Sequence, residues 1–393
     1  MICHSCIRAR LYNLRKNEGM RFHRQIGYVV FMRGIDIEQG VVFSYINPEE
    51  RIKRDHPLRA IRTMMNRSLR ELSPYFETLY SAVGRDSIPP ERLLRALLLQ
   101  VLFSIRSERQ LMEQLDYNLL YRWFVGLSLD DEVWDVTVYT KNRDRLIDGE
   151  VSERLLASVV EQAGEANLLS DDHFTVDGTL IEAWANRRSF QPRDPEKVVG
   201  TGARGKKLLR DKVESKTDPE ARLYSKGGPA GSKPSYLAHA LIENRNGLVV
   251  GACGTQSSRT AEAEAALTLL DKMKRAKEAK ITLGADTAYQ TQDFVEGLRE
   301  RNVAPHVAEY KPNPKFPNFL TPEERADAGF GISQSKRKLV EKVFGWGKQG
   351  RAVKQTKLRG LARVDWMIQF VMAGHNLVRI VKLIPSAIPV PVQ

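Results

Sequence analysis

Cysteine is scarce in this sequence, which contains only Cys3, Cys6 and Cys253. Three cysteines do not build a disulfide framework, so we expect a chain that works in the reducing cytoplasm. A run of about 18 apolar residues without a charge is also missing, and we therefore expect no membrane-spanning helix and no membrane partner. The N-terminal residues lack the clean apolar segment of a signal peptide, which likewise favours a cytoplasmic protein.

The first residues contain no repeated spacing of metal ligands. Cys3 and Cys6 form a lone CxxC pair without a second pair at zinc-finger spacing, so a zinc site is the less favoured interpretation. Residues 1–31 mix Cys, His, Arg and Gly without helix or strand periodicity. We expect a non-native or disordered extension there, with the natural start at Met20 or Met32.

Acidic residues are too few to balance the basic ones, and the excess is local. The chain of 393 residues has a net charge of +13 and a pI of about 9.6. Residues 187–233 hold 13 Lys and Arg against 6 Asp and Glu, and residues 335–363 hold 10 against 1. Clustered positive charge favours a polyanionic partner, most simply nucleic acid. A generally basic protein without such a partner is the alternative.

The first half of the sequence predicts a helical domain over 32–169. Ser107 is the candidate N-cap of one of its helices. Apolar residues recur at helical spacing over about 57–82, 89–104, 107–127, 137–147 and 151–166.

This helical half carries basic residues that suit the binding of DNA ends, while dimerisation is a second interpretation. Core packing explains Trp123, Phe124 and the leucines better than contact with bases. The basic residues are Arg59, Arg62, Arg67 and Arg70.

From residue 170 the pattern changes to alternating strands and helices, which predicts an α+β or α/β fold with a mixed sheet. Strands are expected at 173–185, 281–290 and 303–310, a hairpin at 236–256 around Asn246-Gly247, and helices at 260–278, 291–302, 333–348 and 363–383. Thr260 is the candidate N-cap of the first of these helices.

The second domain is expected to span 170–383. It contains a basic insertion at about 187–235, which we expect to be a long loop or a partly disordered arm. A proline-rich loop is expected at 311–330, and residues 384–393 should form a disordered tail.

Three acids stand where a phosphodiester-cleaving site would need them. Asp177 lies in the first strand, Asp286 ends the strand after the first helix, and Glu341 lies in a basic helix. Carboxylates from strand ends and a nearby helix can hold two divalent cations, and Mg²⁺ prefers oxygen ligands. Each acid also has a plainer interpretation: a turn residue, a cap, and the partner of basic neighbours, respectively.

The segments around these acids resemble, in order, the three acidic motifs of insertion-sequence DDE transposases of the IS-five superfamily. The matching segments are FTVDGTLIEAWA, LGADTAYQT and SKRKLVEKVFGWGK. In the third motif Arg337, Glu341 and Lys348 match, whereas Gln334 stands where the family has Tyr. SERQLMEQLDYNLLYRWFVGL resembles the helical, InsH-like N-terminal domain of the family. The resemblance covers roughly residues 32–380.

The resemblance implies a ribonuclease-H-like catalytic domain and a bacterial, nucleoid-associated enzyme. It would bind the terminal inverted repeats of its element and target DNA, as a homodimer or higher oligomer. It would use two Mg²⁺ ions, with Mn²⁺ as a substitute, to cleave element ends and join the 3′-hydroxyls to target DNA. A catalytically inactive DNA-binding remnant and a structure-selective nuclease are the alternatives. The implied catalytic and metal-binding residues are Asp177, Asp286 and Glu341, and the DNA-binding residues are Arg337, Lys348, Lys338 and Lys342.

Other polar or aromatic residues of this half are expected to pack in the core. Trp346 could instead stack on a flipped base. His306, His239 and His375 are expected to be packed residues. Glu182 lies five residues after Asp177, so strand alternation places it on the opposite face.

Overall fold

The computed structural model describes residues 47–80, 87–192, 213–226, 231–273, 279–311, 317–350 and 353–384. The predicted extension at 1–31 lies outside these residues, as does the predicted tail from residue 385 onward. Within the described ranges, no helix is long and apolar enough to cross a membrane.

The first part of the described chain is helical, as predicted. Apolar residues at helical spacing give α2 a buried face that includes Leu58, Met65 and Phe76. The helices are α1 (Pro48–Arg51), α2 (Pro57–Leu79), α3 (Pro90–Leu102), α4 (Glu108–Tyr117), α5 (Leu119–Val125), α6 (Val136–Ile147) and α7 (Val151–Glu165).

The single helix predicted over 107–127 is wrong, because the chain breaks at Asn118. The Asn118 backbone is extended, and its side chain accepts hydrogen bonds from the N–H groups of Leu120 and Tyr121. An N-cap of this kind starts a new helix instead of continuing the old one. The predicted cap at Ser107 is confirmed, since its hydroxyl accepts from the Gln110 N–H at 3.1 Å.

The second part is a mixed sheet with β1 in its interior. β1 pairs with β5 antiparallel and with β7 parallel, β7 pairs with β8 parallel, and both β4 and β6 pair with β5. The strands are β1 (His173–Glu182), β2 (Phe190–Pro192), β3 (Val213–Ser215), β4 (Arg222–Tyr224), β5 (Lys233–Glu243), β6 (Val249–Gln256), β7 (Ile281–Ala285) and β8 (Val303–Val307).

Helices cover both faces of this sheet. A core that includes Phe174 and Val176 lies under α8 and α9, and a second core that includes Ile181 lies on the other face, under α12 and α13. The helices of this part are α8 (Ala261–Lys272), α9 (Gln292–Glu300), α10 (Pro322–Arg325), α11 (Phe330–Lys336), α12 (Lys338–Gln349) and α13 (Leu361–Leu383). The expected order, a helical N-terminal part followed by a mixed sheet with helices against it, is confirmed.

Helix α13 joins the helical part to the sheet. It contacts α2 and α7 on one side and β6 on the other. Its buried residues, such as Trp366, Phe370 and Leu377, are therefore distributed around the helix instead of along one stripe. The two parts share one continuous core.

Four local expectations need correction. The basic insertion is not simply a loop, because Phe190–Pro192 pairs with Val213–Ser215 and β4 extends the edge of the main sheet. Residues 193–212 and 227–230 of this insertion lie outside the described chain. The hydroxyl that caps α8 belongs to Ser258, which accepts from the Ala261 N–H, and not to Thr260.

The proline-rich loop at 311–330 contains the short helix α10, which is closed by a reciprocal capping box between Thr321 and Glu324. The helix predicted at 333–348 is divided at Arg337 into α11 and α12.

Candidate active site

Asp177 and Asp286 lie at the point where β1 and β7 separate. The two strands pair over His173–Thr175 and Thr282–Gly284, after which β1 leaves β7 and continues to Glu182 paired with β5. Extending this parallel register by two residues brings Asp286, the residue after β7, level with Asp177. Sequence reasoning placed Asp177 in the first strand and Asp286 at the end of a later one, and the topology brings the two residues level on neighbouring strands.

The Asp177 carboxyl is partly buried and lies in a crowded electrostatic environment. Burial raises its pKa to about 6, and Asp286 and Glu262 add to the increase. The Gly178 N–H, which donates to Asp177 Oδ1 at 2.8 Å, and Lys226 oppose it. A carboxylate that burial disfavours so strongly is one that a nearby cation stabilises.

Asp286 also has the capping role that was its plainer interpretation. Its Oδ1 accepts the N–H of Ala288 at 2.9 Å and so starts the 3₁₀ turn Thr287–Tyr289. This bond fixes the carboxyl at the end of β7 and leaves the other oxygen for a second partner.

Glu341 lies on the exposed surface of α12, a helix that packs against β1. Val340 and Phe344 face the core, and at 100° per residue Arg337, Glu341 and Lys348 share the flank beside that stripe. Glu341 forms no ion pair with any described residue, so the interpretation as a partner of its basic neighbours is not observed.

Lys348 is the member of the basic helix that approaches Asp177. Burial lowers its pKa, as does Lys226, while Asp177 acts in the opposite direction. The Nε of Arg337 is buried and has no hydrogen-bond partner among the described residues. Lys338 and Lys342 are exposed and lie on the solvent side of α12.

The predicted acids fit a hydrated divalent cation better than a closed metal cage. Among the described residues, no group of three His, Cys, Asp or Glu side chains is already arranged to hold a metal ion. Mg²⁺ keeps several waters and takes substrate phosphate oxygens, so it needs few protein ligands. The buried carboxyl of Asp177 beside Asp286 supplies the oxygen donors that such an ion prefers.

Gln334, which stands where the resembled family has Tyr, ties α11 to the sheet. Its side-chain amide donates to the carbonyl of His306 and, at 3.5 Å, to the carbonyl of Ala285. Ala285 directly precedes Asp286, so this contact supports the strand end that carries the second acid. The sequence alone gave no role for this residue.

Two charged residues of the site were missed by sequence reasoning. Lys226 donates from Nζ to the Gly178 carbonyl at 2.5 Å and forms an ion pair with Glu262. Lys226 is one of many cations in the basic insertion, and Glu262 looks like an acid that favours the positive end of the α8 dipole. No sequence pattern distinguishes them from solvated surface residues.

The histidines are packed, as expected. Burial lowers the pKa of His239 to about 3 and that of His375 to about 4, and it also lowers the pKa of His306. All three are therefore neutral near pH 7. Glu182 pairs with Lys233, away from the aspartates.

Trp346 belongs to the core side of α12 and not to the catalytic flank. Its ring meets His375 edge-on with 5.5 Å between centroids. It also lines a cavity of about 830 Å³ between α3, α12 and α13, together with the exposed Trp184. Because Trp346 and Lys348 are two positions apart, they point to nearly opposite sides of the helix.

Most of the arginines proposed for DNA binding by the helical part have partners inside it. Arg59 pairs with Glu49 and Arg67 with Glu165, and the Arg62 guanidinium lies 4.4 Å from the centroid of the Trp123 ring. Trp123 also donates to Glu49 at 2.5 Å, which agrees with core packing.

Comparison with known proteins agrees with this geometry. Residues 46–145 match the model of a transposase domain (DUF772), and residues 170–377 match the model of a transposase DDE domain. No curated protein matches the sequence significantly.

Several solved transposase structures share a weak likeness with this chain. The piggyBac transposase synaptic complex with hairpin DNA is 9% identical, with a TM-score of 0.39, covering 82% of this chain and 74% of that chain. The Mos1 paired-end complex with the left transposon end is 11% identical, with a TM-score of 0.20, covering 72% and 86%. Scores this low are insufficient to establish a shared fold, so the assignment rests on the family models. The family model of the transposase DDE domain matches residues 170–377, which is more than half of the chain. The chain therefore belongs to the transposase DDE domain family.

Proposed function

We propose that this DNA transposase binds the terminal inverted repeats of its own insertion sequence, cleaves DNA at the element ends and joins the freed 3′-hydroxyls to target DNA. The observation that supports this most strongly is the level placement of Asp177 and Asp286 where β1 and β7 separate. Membership of the DDE family gives that placement its chemical meaning.

Asp177, Asp286 and Glu341 are the proposed ligands of two Mg²⁺ ions, with Mn²⁺ as a substitute. When bound, such ions activate the attacking oxygen and stabilise the leaving oxygen. Glu341 is exposed and forms no ion pair among the described residues, so its carboxylate is available to a cation. Asp177 is the proposed shared ligand.

The cations on the same flank of α12 are the proposed contacts of the DNA backbone. Lys348 lies close enough to Asp177 for that carboxylate to oppose the lowering of the lysine pKa. The buried Nε of Arg337 lacks a partner among the described residues. Both would neutralise phosphate charge beside the scissile bond. Lys338 and Lys342, which face solvent, would contact phosphates further from it.

Two displacements at phosphorus account for the whole reaction. In the first, a water oxygen bonds to phosphorus, the P–O3′ bond at the element end breaks, and the products are a 3′-hydroxyl and a 5′-phosphate. In the second, that 3′-hydroxyl bonds to a target phosphorus and a target P–O3′ bond breaks, so the number of phosphodiester bonds is conserved. No covalent protein–DNA intermediate is needed.

The test uses duplexes that carry the sequences flanking the gene, incubated with the full chain and Mg²⁺. We expect nicked and joined products from the wild type, and neither product from Asp177→Asn, Asp286→Asn or Glu341→Gln, while DNA binding by these variants is retained. Asp293→Asn, an exposed acid of α9, is the matched control and should behave as wild type.

Each other outcome contradicts a specific part of the proposal. Nicked DNA without joined products would identify a structure-selective nuclease. Binding without cutting by the wild type would identify an inactive remnant. Cleavage that survives Asp177→Asn would remove this residue from the site. Light scattering of the DNA complex would check the proposed homodimer or higher oligomer.

A further inference from the structure

Glu262 is a further acid beside Asp177. It lies in the first turn of α8, and its side chain is only 13% exposed. A Cβ atom placed on Gly178 would lie 2.6 Å from Glu262 Oε1, which is closer than two such atoms can approach. The carboxylate therefore lies directly against the β1 backbone at the residue after Asp177, and glycine at 178 makes room for it.

The Lys226 ammonium contacts both this carboxylate and the strand. Its ammonium donates to the Gly178 carbonyl at 2.5 Å and pairs with Glu262. Gly178 also donates its N–H to Asp177, so the ammonium and the Asp177 carboxylate approach the same residue from two directions. The Lys226 side chain is 35% exposed, which leaves a path to solvent.

A buried hydroxyl indicates that the acids face a common space. Tyr289 is 1% exposed, and its hydroxyl has no hydrogen-bond partner among the described residues. Burial raises the pKa of Tyr289 well above its ordinary value, and Glu262, Asp177 and Asp286 raise it further. A buried hydroxyl normally has a partner. Solvent that enters with a hydrated cation would supply one here.

We propose that Glu262 is a fourth acidic residue of the metal-binding site. In the metal-free protein the Lys226 ammonium occupies the cation position beside Glu262, and a divalent cation displaces it on binding. The proposal rests on the metal-dependent function proposed above. Asp177, Asp286 and Glu262 bring up to three negative charges together, whereas Lys226 and Lys348 supply two positive charges, of which only Lys226 contacts Glu262. A divalent cation brings two charges and prefers carboxylate oxygens. The displaced Lys226 would then be free to contact a DNA phosphate, as Lys348 does in the proposed complex.

A purely structural ion pair, which would only anchor the end of the insertion on α8, is the competing explanation. The two explanations differ in the effect of removing Lys226 on metal affinity. A structural anchor has no influence on metal binding, whereas a competing ammonium weakens it. The Lys233–Glu182 pair, which joins β5 to β1 away from Asp177, is a matched control within the same sheet.

The experiment measures Mn²⁺ binding to the full chain without DNA, by the electron paramagnetic resonance of free Mn²⁺. We expect Lys226→Met to bind Mn²⁺ about tenfold more tightly and Glu262→Gln about tenfold more weakly, since each changes one charge at the ion. Lys233→Met and Glu182→Gln should stay within about twofold of wild type. The double variant Glu262→Gln/Lys226→Met leaves no unpaired charge and so guards against poor folding of a single variant; it should bind Mn²⁺ within about threefold of wild type, because the two tenfold effects offset each other.

Unchanged affinity in Lys226→Met, or in Glu262→Gln, would overturn this inference. The proposed function is tested separately by Asp177→Asn in the same assay. Loss of Mn²⁺ binding in Asp177→Asn together with normal binding in Glu262→Gln would reject the fourth acid and keep the proposed function. Normal binding in Asp177→Asn would reject both.

Discussion

Replacing Asp177 with Asn should stabilise the metal-free protein at pH 8 and change its stability little at pH 4. Burial raises the Asp177 pKa from 3.8 to about 6, so the folded protein disfavours ionisation of this carboxyl. The stability that its protonated form contributes is fully present below pH 3.8 and is lost as the pH rises through about 6. A difference of about two pKa units corresponds to about 3 kcal/mol at pH 8 and to less than about 1 kcal/mol at pH 4.

Urea unfolding of the full chain in a chelator, at pH 4 and at pH 8, measures this difference. Asp293→Asn is the control, because this exposed acid should change the free energy of unfolding by less than about 0.5 kcal/mol at either pH. The reasoning is refuted if Asp177→Asn is less stable than wild type at pH 8, or if it is stabilised equally at both pH values. The predicted gain in the free energy of unfolding would show that the ionised Asp177 carboxylate destabilises the metal-free fold.

Three further substitutions test local contacts, two beside the site and one in the helical part. Gly178→Ala should lower the free energy of unfolding by about 1–3 kcal/mol in urea titrations, because its Cβ would lie 2.6 Å from Glu262 Oε1 and 3.0 Å from Nδ1 of the fully buried His239; a neutral effect would contradict this packing. Gln334→Ala should slow DNA cleavage with little change in DNA affinity, since the amide supports the strand end before Asp286; equal loss of binding in a filter assay would argue against that role. Asn118→Ala should cost about 1 kcal/mol in the same urea titrations through the lost N-cap of α5, and an unchanged midpoint would contradict it.

The main elements could be predicted because their patterns are long and local. The apolar residues of α2 repeat over a whole helix, and the Asn-Gly turn between β5 and β6 has a distinct chemistry. Gly247 takes a φ of +74°, which that turn requires. Asp177 and Asp286 were found because each follows or occupies a strongly apolar strand, and parallel strands end at one edge.

The remaining features depend on contacts between distant or short segments. β2, β3 and β4 have three residues each, too few to show any alternation within the basic insertion. The partnership of Lys226 and Glu262 crosses two strands, and neither residue differs in type from many others nearby. Asn118 breaks a helix whose apolar spacing continues across it, because a single side-chain cap outweighs a weak helical preference.

The central claim, that Asp177, Asp286 and Glu341 surround a divalent cation, is tested most directly by iron-directed cleavage of the chain. Fe²⁺ bound in place of Mg²⁺, with ascorbate and peroxide, generates radicals that cut the nearby backbone. We expect fragments that end near these three residues, with Mg²⁺ suppressing the cuts and Asp177→Asn abolishing them. Cuts elsewhere in the chain, or cuts that Mg²⁺ does not suppress, would contradict the account.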